Sequence, residues 1–202
     1  MITPGHTGAY DGRMSQALST SAERLGCSER TLRRYVNDGL LRGRRVTRHQ
    51  LELSHAEESY LMSHWELLNG LRTALRTERT VRLAVLFGST AVGDDERSSD
   101  VDLLVIHRDP AVRALAGLKL RLRRTLGKSV DVVGLEQAET MPTLLSDILR
   151  EGRVLVDRDG LWDGLRERQP EVSAAASREE RATARRARQT VAAARERIAA
   201  AA

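Results

Sequence analysis

Three observations predict an α+β protein of two domains, a helical one followed by one built on a small sheet. Val81-Arg82-Leu83-Ala84-Val85-Leu86-Phe87 and Val101 to Ile106 are apolar runs of strand length, separated by a polar segment that opens with Gly88-Ser89. Lys128-Ser129-Val130-Asp131-Val132-Val133 and Val154-Leu155-Val156 read as two further short strands. Helical periodicities precede, separate and follow these runs. At 202 residues the chain holds one large or two small domains, and 41% apolar with 3% aromatic residues implies a core of Leu, Val and Ala.

Residues 1–14 mix Gly, Pro, Thr and Asp without periodicity and are expected to be disordered. Structure is expected from Ser15. Ala22, Leu25, Gly26, Cys27, Leu32 and Tyr35 fall at the spacing of two short helices joined by a tight turn, with Gly26 supplying the left-handed conformation. Ser28 caps a second helix that runs from Glu29 to Asp38 and stops at Gly39. Arg30, Arg33, Arg34 and Asn37 lie on its exposed side, and Leu40 to Val46 reads as a small basic hairpin. Residues 21–50 hold eight arginines against three acids.

This segment resembles a winged helix-turn-helix, and Thr31-Leu32-Arg33-Arg34-Tyr35 with Asp38-Gly39-Leu40-Leu41 is similar to the MerR-type variety. The resemblance implies a DNA-binding domain over residues 15–50. Arg30, Arg33, Arg34 and Asn37 would enter the major groove, and Arg44 and Arg45 in the wing would meet phosphates. The alternative is a helical hairpin used only for protein contacts.

Ser54-His55-Ala56-Glu57 is a capping box, and it opens a connecting helix over residues 54–78. Leu61, Trp65, Leu68, Leu71 and Leu75 form an apolar stripe along it, which suits docking on the sheet or pairing with a second copy in a homodimer. His55 and His64 have no partner at metal-ligand spacing and are expected to serve surface or packing roles. Asp109-Pro110 starts another helix that reaches about Leu126, with Arg113, Lys119, Arg121, Arg123 and Arg124 along it. Met141 to Arg150 is amphipathic and helical in pattern. From about Ser173 the chain is almost all Ala, Arg and Glu, so residues 158–202 are expected to end in an exposed or partner-dependent helix.

The chemistry concentrates between Phe87 and Asp131. Gly88 lets the backbone come close to a ligand, and Ser89 offers a hydroxyl and an N–H to a phosphate. Asp100 and Asp102 are two apart on an extended segment, so both side chains leave one face. Asp131 is the one acid in an apolar strand. If that strand lies beside the one carrying Asp100 and Asp102, three carboxylates converge and suit a divalent cation with a nucleotide.

Gly88-Ser89, Asp100-Val101-Asp102 and Asp131 resemble the signature of the nucleotidyltransferase superfamily related to DNA polymerase beta, and in compactness its minimal, MNT antitoxin-like branch. Relatives often carry Ala-Arg-Gly after the Gly-Ser, where this chain has Ala91-Val92-Gly93. The resemblance covers residues 79–157 and implies a small mixed sheet flanked by helices. It also implies Mg²⁺-dependent transfer of a nucleoside monophosphate, AMP in the antitoxin branch, from ATP or another NTP to an acceptor hydroxyl. Asp100 and Asp102 would hold two Mg²⁺ ions, Asp131 would ligate the metal that activates the acceptor, and Gly88 and Ser89 would bind phosphates. A HEPN-type toxin would be the protein acceptor. The alternatives are a small molecule, as in aminoglycoside nucleotidyltransferases, or a transcriptional regulator that uses the domain as a nucleotide sensor.

Lys and Arg number 33 against 28 acids, a net charge of +5 that favours polyanionic partners. One cysteine rules out an internal disulfide. No apolar run approaches a membrane span, and no signal peptide opens the chain, so a cytoplasmic protein is expected.

Overall fold

A computed structural model describes residues 16–47, 50–96, 98–109 and 112–200. The expectations for residues 1–14, and for a helix start at Pro110, lie outside the described residues. The chain divides into two compact units, Met1–Glu66 and Leu67–Ala202. No helix among the described residues is long and apolar enough to cross a membrane.

In the first unit, β1 (Gln16–Ala17) leads into α1 (Leu18–Arg24) and α2 (Glu29–Asn37). Gly26 turns the chain between the helices at φ +63°, as the sequence predicts. A Cβ there would meet nothing within 4 Å, so the demand is on the backbone alone. Ser28 caps α2 by accepting from the Thr31 N–H at 3.2 Å. The hairpin expected at Leu40 to Val46 is shifted and wider. Leu40 and Leu41 are buried in the core, and the strands are β2 (Gly43–Arg45) and β3 (Leu51–Leu53). Burial of two adjacent leucines forces an irregular path, because a strand would send one of them to solvent. With β1 these strands make a three-stranded antiparallel sheet of order β1-β3-β2.

Helix α3 (His55–Thr77) starts where the capping box predicts. The Glu57 N–H donates to Ser54 Oγ at 3.1 Å, but the Glu57 carboxylate accepts from the Arg42 N–H at 2.9 Å. It thus ties the helix to the segment before β2. Leu61, Leu68, Leu71 and Leu75 are all fully buried within the single chain. The stripe is therefore not a face left open for a second copy, which corrects that half of the expectation. His64 is buried and stacks on Tyr60 with ring centroids 4.3 Å apart.

The second unit is built on β4 (Val81–Phe87), β5 (Val101–His107), β6 (Val130–Gly134) and β7 (Arg153–Asp157). Their order is β6-β5-β4-β7, with β4 antiparallel to β5 and β7, and β5 parallel to β6. The sheet is mixed and small, and the chain has the α+β architecture the sequence predicts. Six of the seven residues of β4 are buried because it is a central strand, covered on both faces. Between strands lie α4 (Ser89–Val92), α5 (Val112–Leu126), α6 (Leu135–Glu139) and α7 (Pro142–Glu151), and α8 (Leu161–Glu167) follows β7. One core gathers Leu83, Val85 and Leu104 of the sheet with Ile148 and Leu149 of α7 and Trp162 of α8.

The last helix, α9 (Gln169–Ala200), begins four residues before the expected Ser173. Val172 joins the core and Ala176 is buried, and Ser173 Oγ lies 3.2 Å from Ser146 Oγ on α7. The helix is thus rooted on the sheet domain; residues 177–191 are exposed throughout, as expected.

Candidate active site

The site is organised by the end of β4. Phe87 stands opposite Asp102 in the antiparallel register, and the chain then turns at Gly88 with φ +73° and ψ −162°. That combination belongs essentially to glycine. It also brings the backbone against a carboxylate: a Cβ on Gly88 would lie 2.5 Å from Asp102 Oδ2. Ser89 opens the single turn of α4, which Gly93 closes at φ +92°. The Gly93 and Asp94 N–H groups both donate to the Ser89 carbonyl, at 2.9 and 3.0 Å.

Two further bonds hold that turn. Thr90, 1% exposed, donates from Oγ1 to the Asp100 carbonyl at 3.3 Å, joining the turn to the segment that carries the first aspartate. Arg153 donates from Nε to the Ala91 carbonyl at 2.6 Å. Neither contact is legible in the sequence. Arg153 leads an apolar strand after Gly152, where a charged residue ordinarily faces water.

Two of the three carboxylates stand together. Asp102 and Asp131 are register partners across the parallel β5–β6 pair, so they stand side by side on one face, with Asp100 two residues upstream. Burial lifts the Asp102 carboxyl above its ordinary range, and the charges of Asp131 and then Asp100 lift it further. This accumulation of negative charge is what a divalent cation would relieve. Among the described residues, no group of three or more His, Cys, Asp or Glu stands close enough to hold a metal ion by itself. Magnesium takes one or two carboxylates and completes its shell with water and substrate phosphates, so an open set of oxygens fits it.

Asp131 has a partner that sequence reasoning missed: Lys119 on α5 makes an ion pair with its carboxylate. The lysine is one of a run of basic residues along α5, and only the packing of α5 beside β6 singles it out.

In the first unit, Arg30, Arg34 and Asn37 are exposed on α2, and Arg44 and Arg45 on β2. Arg33 is half-buried and pairs with Glu29 at 3.1 Å. Arg45 Nη2 donates to Asn37 Oδ1 at 3.3 Å, linking β2 to α2. Arg44 pairs with Glu52 at 3.6 Å.

Residues 69–160 match the family model described as polymerase beta, nucleotidyltransferase. That segment is a nucleotidyltransferase domain, and the enzyme class of the chain follows from it. Two solved structures are similar to it in fold. One is a crystal structure of a toxin-antitoxin with AMP-PNP, 24% identical with a TM-score of 0.50, covering 59% of this chain and 97% of that one. The other is the toxin-antitoxin MntA-HpeT in a mutant form, 22% identical with a TM-score of 0.51 and the same coverage. No curated protein matches the chain.

Proposed function

We propose that the chain transfers a nucleoside monophosphate, AMP from ATP, to a hydroxyl of a partner protein. The observation that carries this reading is the abutment of Gly88 on Asp102, with Asp131 alongside in register. A phosphate-cradling turn and paired carboxylates then serve one substrate. Gly88 and Ser89 bind the triphosphate through backbone N–H and hydroxyl groups, where negative charge builds on the departing pyrophosphate. Asp100, Asp102 and Asp131 would hold the Mg²⁺ ions. Bound there, the metal supplies charge neutralisation for the triphosphate and for the attacking oxygen. Asp131 takes the proton of the acceptor hydroxyl as that oxygen bonds to the α-phosphorus.

The solved neighbours are toxin-antitoxin assemblies, one holding an ATP analogue, which supports a toxin as acceptor and ATP as donor. The test is incubation with α-labelled NTPs, Mg²⁺ and host lysate, comparing the parent with Asp102→Asn. A labelled protein that the variant fails to produce is the expected result. Label on a small molecule instead would redirect the acceptor, and equal labelling by both proteins would end the transferase reading.

The Lys119–Asp131 ion pair and Val92 in the place of the family's arginine favour one second reading, a nucleotide sensor without transfer. ATP-induced stabilisation with no labelled product would select it. We also propose that the first unit binds DNA through Arg30, Arg33, Arg34, Asn37, Arg44 and Arg45. Two reading helices on half-sites about 34 Å apart would require a homodimer on the DNA. Replacing Arg33 and Arg34 by Ala should weaken binding and flatten its salt dependence. Salt-insensitive binding by the parent would count against it.

A further inference from the structure

We propose that Arg153 is a positioning residue for the Gly88-Ser89 turn, a role that rests on the nucleotide-binding reading of that turn. Arg153 is 1% exposed and stands opposite Leu86 in the β4–β7 register. Its chain neighbours Val154 and Leu155 are buried aliphatics. Burying a guanidinium is costly unless its donors are satisfied, and a leucine here would serve the sheet alone at less cost. What the arginine adds is reach. Its Nε–H meets the carbonyl of Ala91, itself fully buried, at 2.6 Å.

The recipient needs that support. Helix α4 has four residues, far below the length at which a helix sustains itself, and its last carbonyls lack partners within the helix. Thr90 ties the turn to Asp100 on one side, and Arg153 ties it to β7 on the other. Between the two, the N–H groups of Gly88 and Ser89 keep a set position relative to Asp102. Arg153 acts through the backbone it holds.

The experiment uses the full chain with Mg²⁺ and ATP. Arg153→Lys keeps a charge on a long stem but loses the Nε donor, and Arg153→Met removes the charge as well. Val154→Ala weakens the same strand on its other face. We expect Arg153→Lys to fold, to raise KM for ATP about tenfold, and to lose most of the ATP-induced rise in melting temperature. Val154→Ala should bind ATP as the parent does despite a lower melting temperature. Parental ATP affinity in Arg153→Lys would overturn the role. So would an equal loss in Val154→Ala, or failure of both arginine variants to fold, since the arginine would then serve the core alone. A parent that ATP does not stabilise sinks the nucleotide reading, and this role with it.

Discussion

Gly88 shows how one residue can serve backbone and chemistry together. Its φ of +73° with ψ −162° excludes side chains, and the space a Cβ would need belongs to Asp102 Oδ2. Gly88→Ala should therefore cost about 1–3 kcal/mol in urea unfolding, and the shifted carboxylate should abolish ATP-induced stabilisation. Retained stabilisation would show that the turn and the aspartate act separately. Asp102 makes a second prediction. Its folded-state pKa is raised by burial, Asp131 and Asp100, so the folded form binds its proton more tightly than the unfolded chain does. The ionised group thus destabilises the metal-free fold at neutral pH, and the penalty fades as pH falls through the raised pKa towards the ordinary aspartate range near about 4. Metal-free Asp102→Asn should match or exceed the parent's stability at pH 7, with the difference shrinking on acidification. A variant less stable at pH 7, with a gap that widens in acid, would contradict this sign.

At the scale of elements, two helices of the second unit have ends that can be tested. Helix α8 follows β7 after a turn at Gly160, and its free N–H groups are met from outside. The Asp157 carboxylate accepts from Leu161 and Trp162, both at 3.0 Å. Asp157→Ala should lower stability by about 1 kcal/mol, with the emission of Trp162 shifting as its helix frays. Helix α9 divides sharply. Ending the chain at residue 181 removes exposed helix and should move the melting temperature by less than about 2 °C. Ending it at residue 168 uncovers the core that Val172 closes, and should lower it by roughly 5 °C or more. Equal effects of the two truncations would place the stabilising contacts of α9 beyond residue 181.

Across the whole molecule, the two tryptophans report separately. Trp65 lies in the first unit, 5.9 Å from Tyr35, and Trp162 lies in the core of the second. In Trp65→Phe, emission follows the second unit; in Trp162→Phe it follows the first. Saturating ATP and Mg²⁺ should raise the midpoint read by Trp162, by the equivalent of about 2.7 kcal/mol at a hundredfold excess over Kd. The midpoint read by Trp65 should rise less. Equal shifts would mean that the two units unfold as one.

Short-range patterning by itself determined much of this protein. The strands at Val81–Phe87 and Val101–His107, the turns at Gly26 and Gly88, and the capped helices at Glu29 and His55 all follow from residue type and spacing within a few positions. The same spacing argument expects Asp100 and Asp102 on one face, but β5 begins only at Val101, so strand geometry holds Asp102 and not Asp100. Periodicity names a face but not what covers it. Hence the stripe from Leu61 to Leu75 left its partner open, and burial within the chain decided it. The exposed part of α9 was legible, but its rooting through Val172 was not, because two small apolar positions in an Ala-Arg-Glu run carry too little pattern. The site divides the same way. Asp131 stands out in sequence as an acid in an apolar strand, yet its place beside Asp102 depends on the parallel register of β5 and β6, fixed by packing far along the chain. Lys119 and Arg153 look like ordinary surface charges. Only the tertiary fold turns one towards a carboxylate and seals the other inside, 62 residues from the carbonyl it holds.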